Sequence, residues 1–222
     1  MLEGTVGALI AALDCREHNT GQHSWRVREI SLWLARKLEA GPAVYEALRQ
    51  GALLHDVGKI GIPDQILLKP GPLTPAERKV MEEHPSLGMN IMQQIPFMGA
   101  AAEIVEFHHE RFDGTGYPHG LKGSQIPLGA RIFTVVDVLD ALTSARPYHK
   151  AMPFDEAKQW IVEQSGKQFD PLVVNAFKGM TPEIWQALRM RMIHGPGKED
   201  SPKDAGESLD EQFRRLPYYR TK

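Results

Sequence analysis

Apolar residues in this chain recur at helical spacing in almost every segment, and this periodicity constrains the fold more than any other feature. Val27, Ile30 and Leu34, for example, follow His23 at intervals of three and four residues. Such spacing places the side chains on one face of an amphipathic helix. The sequence has no alternating run long enough to predict a sheet, and no internal repeat. We therefore predict an all-α fold.

The periodic segments and the breakers between them predict the order of elements. Helices are predicted over residues 2–13, 23–34, 44–55, 75–94, 100–110, 129–145, 154–165, 171–177 and 181–192. Thr74 is a favourable N-cap because Glu77 follows it by three residues. Residues 58–72, with three prolines, and 111–129, with five glycines and two prolines, are predicted to be loops.

A change of composition near the C-terminus predicts the end of the domain. The 222 residues allow one large domain or two small ones. Residues 195–208 are polar and rich in glycine and proline, as is typical of a flexible segment. We predict one domain over residues 1–194 and a polar, flexible tail over 195–222.

Charge and hydropathy exclude several classes of protein. The formal net charge of −2 offers no broad attraction to polymeric nucleic acid, although a local basic patch remains open. No run of about 20 apolar residues is present, so no membrane span is predicted. The N-terminus has no basic region of the kind that a signal peptide requires.

Cysteine and histidine content limits the metal sites that the chain can build. Cys15 is the single cysteine, which excludes an internal disulfide, a four-cysteine zinc site and an iron–sulfur cluster. One cysteine also fits a reducing compartment, and we expect a cytoplasmic protein. The nine histidines mean that any metal is held by nitrogen and oxygen.

Two pairs of adjacent residues are candidate metal ligands. His55 and Asp56 end an apolar helix, where adjacent side chains can chelate one ion or straddle two. The alternative is an ordinary helix C-terminus, where a histidine favours the dipole. His108 and His109 precede Glu110 on another predicted helix, and the alternative there is a charged, solvated helix end. Adjacent imidazoles repel when protonated, and a metal that binds both as neutral rings removes that conflict.

Two carboxylates lie on one face of a helix that is apolar nearly all round. Asp137 and Asp140 are surrounded by valines and leucines, which predicts burial. A buried, unpaired carboxylate costs several kcal/mol, about the cost that a metal ion would remove. The alternative is an ion pair with an arginine from elsewhere, such as Arg28 or Arg131.

These candidates, with two further histidines, form one set of nitrogen and oxygen donors. Its members are His23, His55, Asp56, His84, His108, His109 and Asp137. Seven donors exceed the needs of one tetrahedral zinc ion. They suit two ions that favour octahedral geometry, such as Fe or Mn, with a shared bridging water. Metal pairs are typical of sites that cleave phosphoesters.

The order of motifs resembles the HD-GYP domain family, a branch of the HD phosphohydrolases. The strings occur in the family's order from about residue 5 to residue 180. They are TGQHSWRV at 20–27, HDVGKIGIPD at 55–64, HP at 84–85, HHERFDGTGYP at 108–118, DVLDALTS at 137–144, RPY at 146–148 and FDP at 169–171. The His-Asp pair alone would be a weak signal, whereas the collinear series is specific.

The resemblance implies a bundle of about seven helices with short loops, and a phosphodiesterase that acts on cyclic di-GMP. The product would be linear pGpG, and GMP after a second cut. The same seven donors would hold two metals, with Asp56 bridging them. A hydroxide between the metals would attack phosphorus. Asp140 is expected to support a ligand because it lies one helical turn after Asp137. The implied substrate contacts are Lys59, Gly114, Gly116, Tyr117, Arg146 and His149.

Physical reasons accompany the implied substrate contacts. Lys59 and Arg146 would neutralise charge that develops on the phosphate. Glycines at 114 and 116 allow close approach of backbone to a ligand, and the Tyr117 ring can stack on guanine. The alternative for this loop is a glycine-rich turn without a role in binding. The general acid stays open between Lys59 and a metal-bound water.

The sequence departs from the family's pattern at two positions. Asn19 stands where some members have a glutamate that holds a third metal, so two metals are expected. His149 stands where many members have a lysine or arginine, which weakens an expected substrate contact.

Other functions remain open on this scaffold. A related phosphohydrolase could take another cyclic dinucleotide or a nucleotide. A receptor could bind cyclic di-GMP without catalysis, although a complete ligand set and Lys59 argue against it. An upstream sensory or receiver domain, or a partner protein, is also expected, because family members are often joined to such modules.

Overall fold

The structure is a computed structural model, and it describes residues 2–17, 22–145 and 150–190. These residues contain eleven α-helices and two 3₁₀ helices. The α-helices are α1 (Leu2–Glu17), α2 (Gln22–Lys37), α3 (Pro42–Leu54), α4 (Asp64–Leu67), α5 (Pro75–Met81), α6 (His84–Met92), α7 (Gly99–Phe107), α8 (Leu128–Thr143), α9 (Phe154–Glu163), α10 (Pro171–Phe177) and α11 (Pro182–Met190). The 3₁₀ helices span Val57–Gly61 and Gly123–Gln125.

The all-α fold is confirmed, and the described residues contain no β-strand beyond two isolated bridges. The eleven α-helices exceed the nine predicted from periodicity because residues 58–72, predicted as a loop, contain the one-turn α4 and because the segment 75–94 forms two helices. They also exceed the bundle of about seven that the resemblance implies. No helix among the described residues combines the length and apolar character needed to cross a membrane.

The helix predicted over residues 75–94 is wrong, because the segment forms two helices. The segment 75–94 divides into α5 and α6 at Glu82 and Glu83. Pro85 explains the break, because it has no N–H to donate to the carbonyl of Met81. That carbonyl instead accepts a hydrogen bond from Nδ1 of His84, at 2.7 Å. The predicted Thr74 capping box is present at the start of α5.

Two apolar clusters hold the helices together. The larger cluster joins α2, α3 and α8–α11 around fully buried residues such as Ile30, Leu34 and Phe133. The smaller one joins α1, α3, α6 and α7 and includes Val6, Leu54 and Val105. The predicted apolar face of α2 therefore lies in the core, and His23 is half-buried at the N-terminal end of that face.

Close helix contacts bring the ends of several elements to one place. Gly51 of α3 packs against the backbone of α7, since an added Cβ would lie 2.8 Å from the carbonyl oxygen of Ala101. The C-terminal ends of α3 and α7 thus lie side by side. The start of α6 and the middle of α8 meet them there.

Asn19, Arg146, His149 and the predicted tail at 195–222 lie outside the described residues.

Candidate metal centre

Three of the candidate histidines are oriented in the same way at the ends of helices. His55 and His108 are the C-caps of α3 and α7, and His84 is the first residue of α6. In each, Nδ1 faces the carbonyl oxygen of the residue three positions earlier, at 3.0 Å for His55, 2.7 Å for His84 and 2.8 Å for His108. A carbonyl only accepts, so Nδ1 carries the proton and the lone pair of Nε2 points into the site.

The side chains form two groups, each with three donor atoms within 4.8 Å of one another. One group is His84, His108 and His109, and the other is His23, His55 and Asp137. Phe133 supports both groups, because its ring lies 4.9 Å from that of His55 and 5.9 Å from that of His108. Six of the seven predicted donors therefore come together.

Asp56, the seventh predicted donor, lies between the two groups. Its Oδ2 is 3.2 Å from Nε2 of His55. Its Oδ1 is 3.4 Å from Nε2 of His84 and 4.0 Å from Nε2 of His108. One carboxylate thus presents one oxygen to each group. Burial would raise its pKa, but Lys59 and the surrounding imidazoles outweigh burial and hold the pKa of Asp56 well below its usual value.

The two groups differ in their protonation without metal. Burial and neighbouring imidazoles lower the pKa of His84 and His108, and they lower that of His109 to about 4. These rings are therefore neutral at pH 7. Burial also acts to lower the pKa of His23, but Asp137 and Asp140 outweigh it and raise the pKa to about 9. His23 must therefore lose a proton before its Nε2 can bind a metal.

Asp140 is buried and connects His23 to Arg26, a residue that the sequence did not indicate as its partner. Its Oδ2 lies 2.8 Å from Nδ1 of His23, and the guanidinium of Arg26 donates to both of its oxygens, at 2.7 and 2.8 Å. The alternative of an arginine pair is thus correct for Asp140, but the predicted partners are wrong. Arg131 pairs with Asp170 instead, and Arg28 lies over the ring of Trp25.

Lys59 lies beside the two groups, on the 3₁₀ helix that follows Asp56. Its Nζ donates to Oδ2 of Asp56 at 2.8 Å. The side chain is 21% exposed, so Lys59 is half-buried at the edge of the site.

The glycine-rich loop lies against the histidines, and much of its glycine content serves its own packing. An added Cβ at Gly116 would lie 2.4 Å from the backbone nitrogen of Arg111, and Gly114 has a φ of +84°. The ring of Tyr117 stacks on that of His109 with centroids 4.7 Å apart. Close approach to a ligand is therefore not the sole reason for these glycines.

Glu110 contradicts the alternative of a charged, solvated helix end at this point. Its side chain is buried, and its oxygens accept hydrogen bonds from the backbone nitrogens of His119 and Leu121 at 2.8 and 3.0 Å. α7 ends at Phe107, and His108 and His109 form the turn that follows it, directly before Glu110. The carboxylate of Glu110 thereby fixes the loop to the turn that carries two candidate ligands.

A cavity of about 310 Å³ opens beside the donors. Gly116 and Tyr117 line it together with His109, Asp137, Arg111 and Gln168. Among the described residues, Gly114 and Lys59 are not part of its lining.

A family model described as HD domain matches residues 8–173, which is most of the chain and includes the His-Asp pair. The chain belongs to the HD domain family. The resemblance to the HD-GYP branch is confirmed by relatives named cyclic di-GMP phosphodiesterases, which are 46%, 40% and 42% identical to this chain.

Two curated relatives and one solved structure illustrate the similarity of this HD domain. A cyclic di-GMP phosphodiesterase of Vibrio cholerae is 46% identical, over 78% of this chain and 38% of that protein. The 3′3′-cGAMP-specific phosphodiesterase 3 of the same organism is 38% identical, over 80% of this chain and 38% of that protein. The chain thus spans less than half the length of these relatives.

The solved structure supports the fold of the HD domain. A cyclic GMP-AMP-specific phosphodiesterase of Vibrio cholerae superposes with a TM-score of 0.61 at 21% identity. The superposition covers 83% of this chain and 52% of that one.

The donors of this HD domain fit divalent metal ions. They are imidazole nitrogens and carboxylate oxygens, which bind divalent ions such as Fe, Mn and Zn. Three of the rings are held by a second hydrogen bond at Nδ1, as metal-binding histidines commonly are. The cluster also places buried carboxylates beside neutral imidazoles, an arrangement that a cation stabilises.

Proposed function

We propose that this HD domain is a metal-dependent phosphodiesterase that hydrolyses cyclic di-GMP to pGpG, and to GMP after a second cut. The observation that carries the proposal is the position of Asp56. Its two oxygens face different groups of three donors, at 3.2 and 3.4 Å from the nearest imidazole nitrogens. A carboxylate shared in this way suits two ions, and paired ions are typical of phosphoester hydrolysis.

In the proposed site, each group would hold one ion and Asp56 would contribute to both. We propose Fe or Mn, because seven nitrogen and oxygen donors exceed a tetrahedral zinc site. Bound divalent ions would lower the pKa of a water molecule and polarise the phosphate. Asp140 would keep His23 oriented through the hydrogen bond at its Nδ1.

The remaining predicted residues would contact the substrate. Lys59 would exchange its contact with Asp56 for the scissile phosphate and stabilise negative charge there. Gly116 and Tyr117 would border one nucleotide in the adjacent cavity, and Gly114 would shape their turn. Arg146 and His149 remain predicted phosphate contacts outside the described residues.

Substrate choice is proposed from the relatives together with the site. The relative at 46% identity is named for cyclic di-GMP, and one at 38% is named for 3′3′-cGAMP. Both substrates are cyclic dinucleotides, and we favour cyclic di-GMP because the more similar relative is named for it. We also propose a cytoplasmic location, and an upstream sensory or receiver domain, since the relatives extend well beyond the matched region.

A substrate panel with two variants tests the proposal. The wild type, Asp56→Ala and Asp155→Asn are loaded with Fe or Mn and given cyclic di-GMP, 3′3′-cGAMP and cyclic di-AMP. Asp155 is an exposed carboxylate on α9 and serves as the matched control. We expect cyclic di-GMP to be cleaved fastest, with at least about a thousandfold loss in Asp56→Ala and none in Asp155→Asn.

Two results would contradict the proposal. Tight binding of cyclic di-GMP without turnover would favour a receptor. Faster cleavage of another nucleotide would favour a related phosphohydrolase.

A further inference from the structure

The first helix lies against the segment that carries Asp56 and Lys59. Val6 of α1 is buried in the smaller apolar cluster, where it joins Leu53 and Val57. Leu9 and Ile10 pack against the same cluster. This packing places the last turn of α1 beside the 3₁₀ helix Val57–Gly61.

Arg16, in that last turn, makes the polar contact between the two elements. Its Nη1 donates to the carbonyl oxygens of Lys59, at 3.2 Å, and of Ile60. Its Nη2 donates to the carbonyl oxygen of Ile62, at 2.8 Å, and to the carboxylate of Asp64. One guanidinium therefore contacts three backbone carbonyls at the end of the 3₁₀ helix, and that of Lys59 also accepts a hydrogen bond from the amide of Ile62.

The opposite side of the 3₁₀ helix is held by direct backbone packing. An added Cβ at Gly58 would lie 1.9 Å from the carbonyl oxygen of His84 and 2.4 Å from the nitrogen of Gly88. The segment is thus confined between α6 and Arg16. Lys59 stands in the middle of this confined segment, and its own carbonyl oxygen is one of the acceptors of Arg16, so its position depends on both contacts.

We propose that Arg16 is a positioning residue that holds Lys59 where its ammonium group can meet the scissile phosphate. The inference rests on the proposed function, because it assigns Arg16 an effect only through Lys59. The guanidinium of Arg16 is occupied by the backbone of this segment. Arginine suits this role because its planar fork has five donors, whereas lysine is a single point of contact.

The ion pair between Arg16 and Asp64 can be tested separately from the hydrogen bonds of Arg16 to the backbone. The Asp64 side chain is 70% exposed, and an exposed ion pair contributes little to stability. Asp64→Asn removes this ion pair and keeps the carbonyl contacts. The variant therefore separates loss of a surface charge pair from loss of the backbone contact.

A double-mutant cycle between Arg16 and Lys59 tests the proposal. Arg16→Met, Lys59→Met and the double variant are compared for kcat and KM on cyclic di-GMP, with metal content measured in each. We expect Arg16→Met to lower kcat about tenfold when Lys59 is present, and less than about twofold in the Lys59→Met background. Arg16→Lys is expected to be intermediate. Asp64→Asn and Arg49→Met, which removes an exposed arginine of α3, are expected to match the wild type.

Amide hydrogen exchange gives a second readout that needs no activity. The amide of Ile62 donates to the carbonyl of Lys59, within the segment that Arg16 holds. We expect residues 57–62 to exchange faster in Arg16→Met and not in Arg49→Met. If Arg16→Met fails to fold, the cycle and the exchange are measured with Arg16→Lys.

The outcomes distinguish failure of the role of Arg16 from failure of the role of Lys59. An equal loss of kcat in both Lys59 backgrounds would show a merely structural role and overturn the proposal. Unchanged exchange at 57–62 would also overturn it. If Lys59→Met alone leaves kcat unchanged, the proposed role of Lys59 fails, and the effect assigned to Arg16 fails with it.

Discussion

At the scale of single residues, the site depends on which nitrogen of each imidazole is occupied. His55, His84 and His108 each give Nδ1 to a carbonyl three residues earlier, and His23 gives Nδ1 to Asp140. The ends of helices make this possible, because carbonyls there lack intrahelical donors. Nε2 is left for a metal in all four rings.

Asp140→Asn is expected to weaken metal binding in one group only. The amide removes the negative charge that holds His23 and leaves Arg26 without its carboxylate partner. We expect affinity for the His23, His55 and Asp137 group to fall about ten- to a hundredfold. Metal titration followed by calorimetry measures this, with Asp155→Asn as control. An equal loss at both groups, or no loss, would contradict the assigned role.

The pH dependence of metal binding is expected to differ between the two groups. His23 has a pKa of about 9 without metal, so below pH 9 an ion must displace its proton. The affinity of that group should therefore rise about tenfold per pH unit between pH 7 and 9, and then level off. The pKa of His109 is about 4 and those of His84 and His108 are lowered, so their group should show little change there.

Calorimetric titration at pH 7 in buffers of different ionisation enthalpy counts the released protons. One ion is expected to release about one proton more than the other. Equal proton release by both ions would show that His23 does not differ from the other histidines in this way.

At the scale of elements, the site depends on helix ends and on backbone packing between them. Apolar periodicity predicted the cores of α2, α3 and α8, because burial of one face determines where such helices lie. The same periodicity could not show the break at Glu82 and Glu83. That break follows from Pro85 and from the side-chain donor on His84, which replaces the missing backbone donor.

Gly58→Ala tests whether backbone packing of the 3₁₀ helix matters for the fold and the site. The new Cβ would overlap the backbone of α6, which cannot yield as a flexible side chain does. We expect the free energy of unfolding to fall by about 1–3 kcal/mol, with a loss of metal content. Gly7→Ala on α1 is the control: it meets no atom within 4 Å and should raise stability by about 0.5–1 kcal/mol. Chemical denaturation measures both, and similar effects of the two would refute the packing argument.

At the scale of the whole molecule, residues far apart in sequence converge on one site. The seven predicted donors are brought together from α2, α6, α8 and the turns after α3 and α7. Their residue types and motif order were visible in the sequence. Arg16, Arg26 and Glu110 were not predicted, because their partners are known only once the chain is folded. Arg26 lies 114 residues from Asp140 in the sequence, and no local sequence pattern predicts that ion pair.

The metal-to-protein ratio of the active chain tests the central claim most directly. The protein is loaded with Fe or Mn, freed of excess ions, and analysed by mass spectrometry for metal while its turnover of cyclic di-GMP is measured. Two groups of three donors that share Asp56 predict about two ions per chain at full activity, and loss of both ions and activity in Asp56→Ala. Full activity with one ion per chain, or with none, would contradict the account.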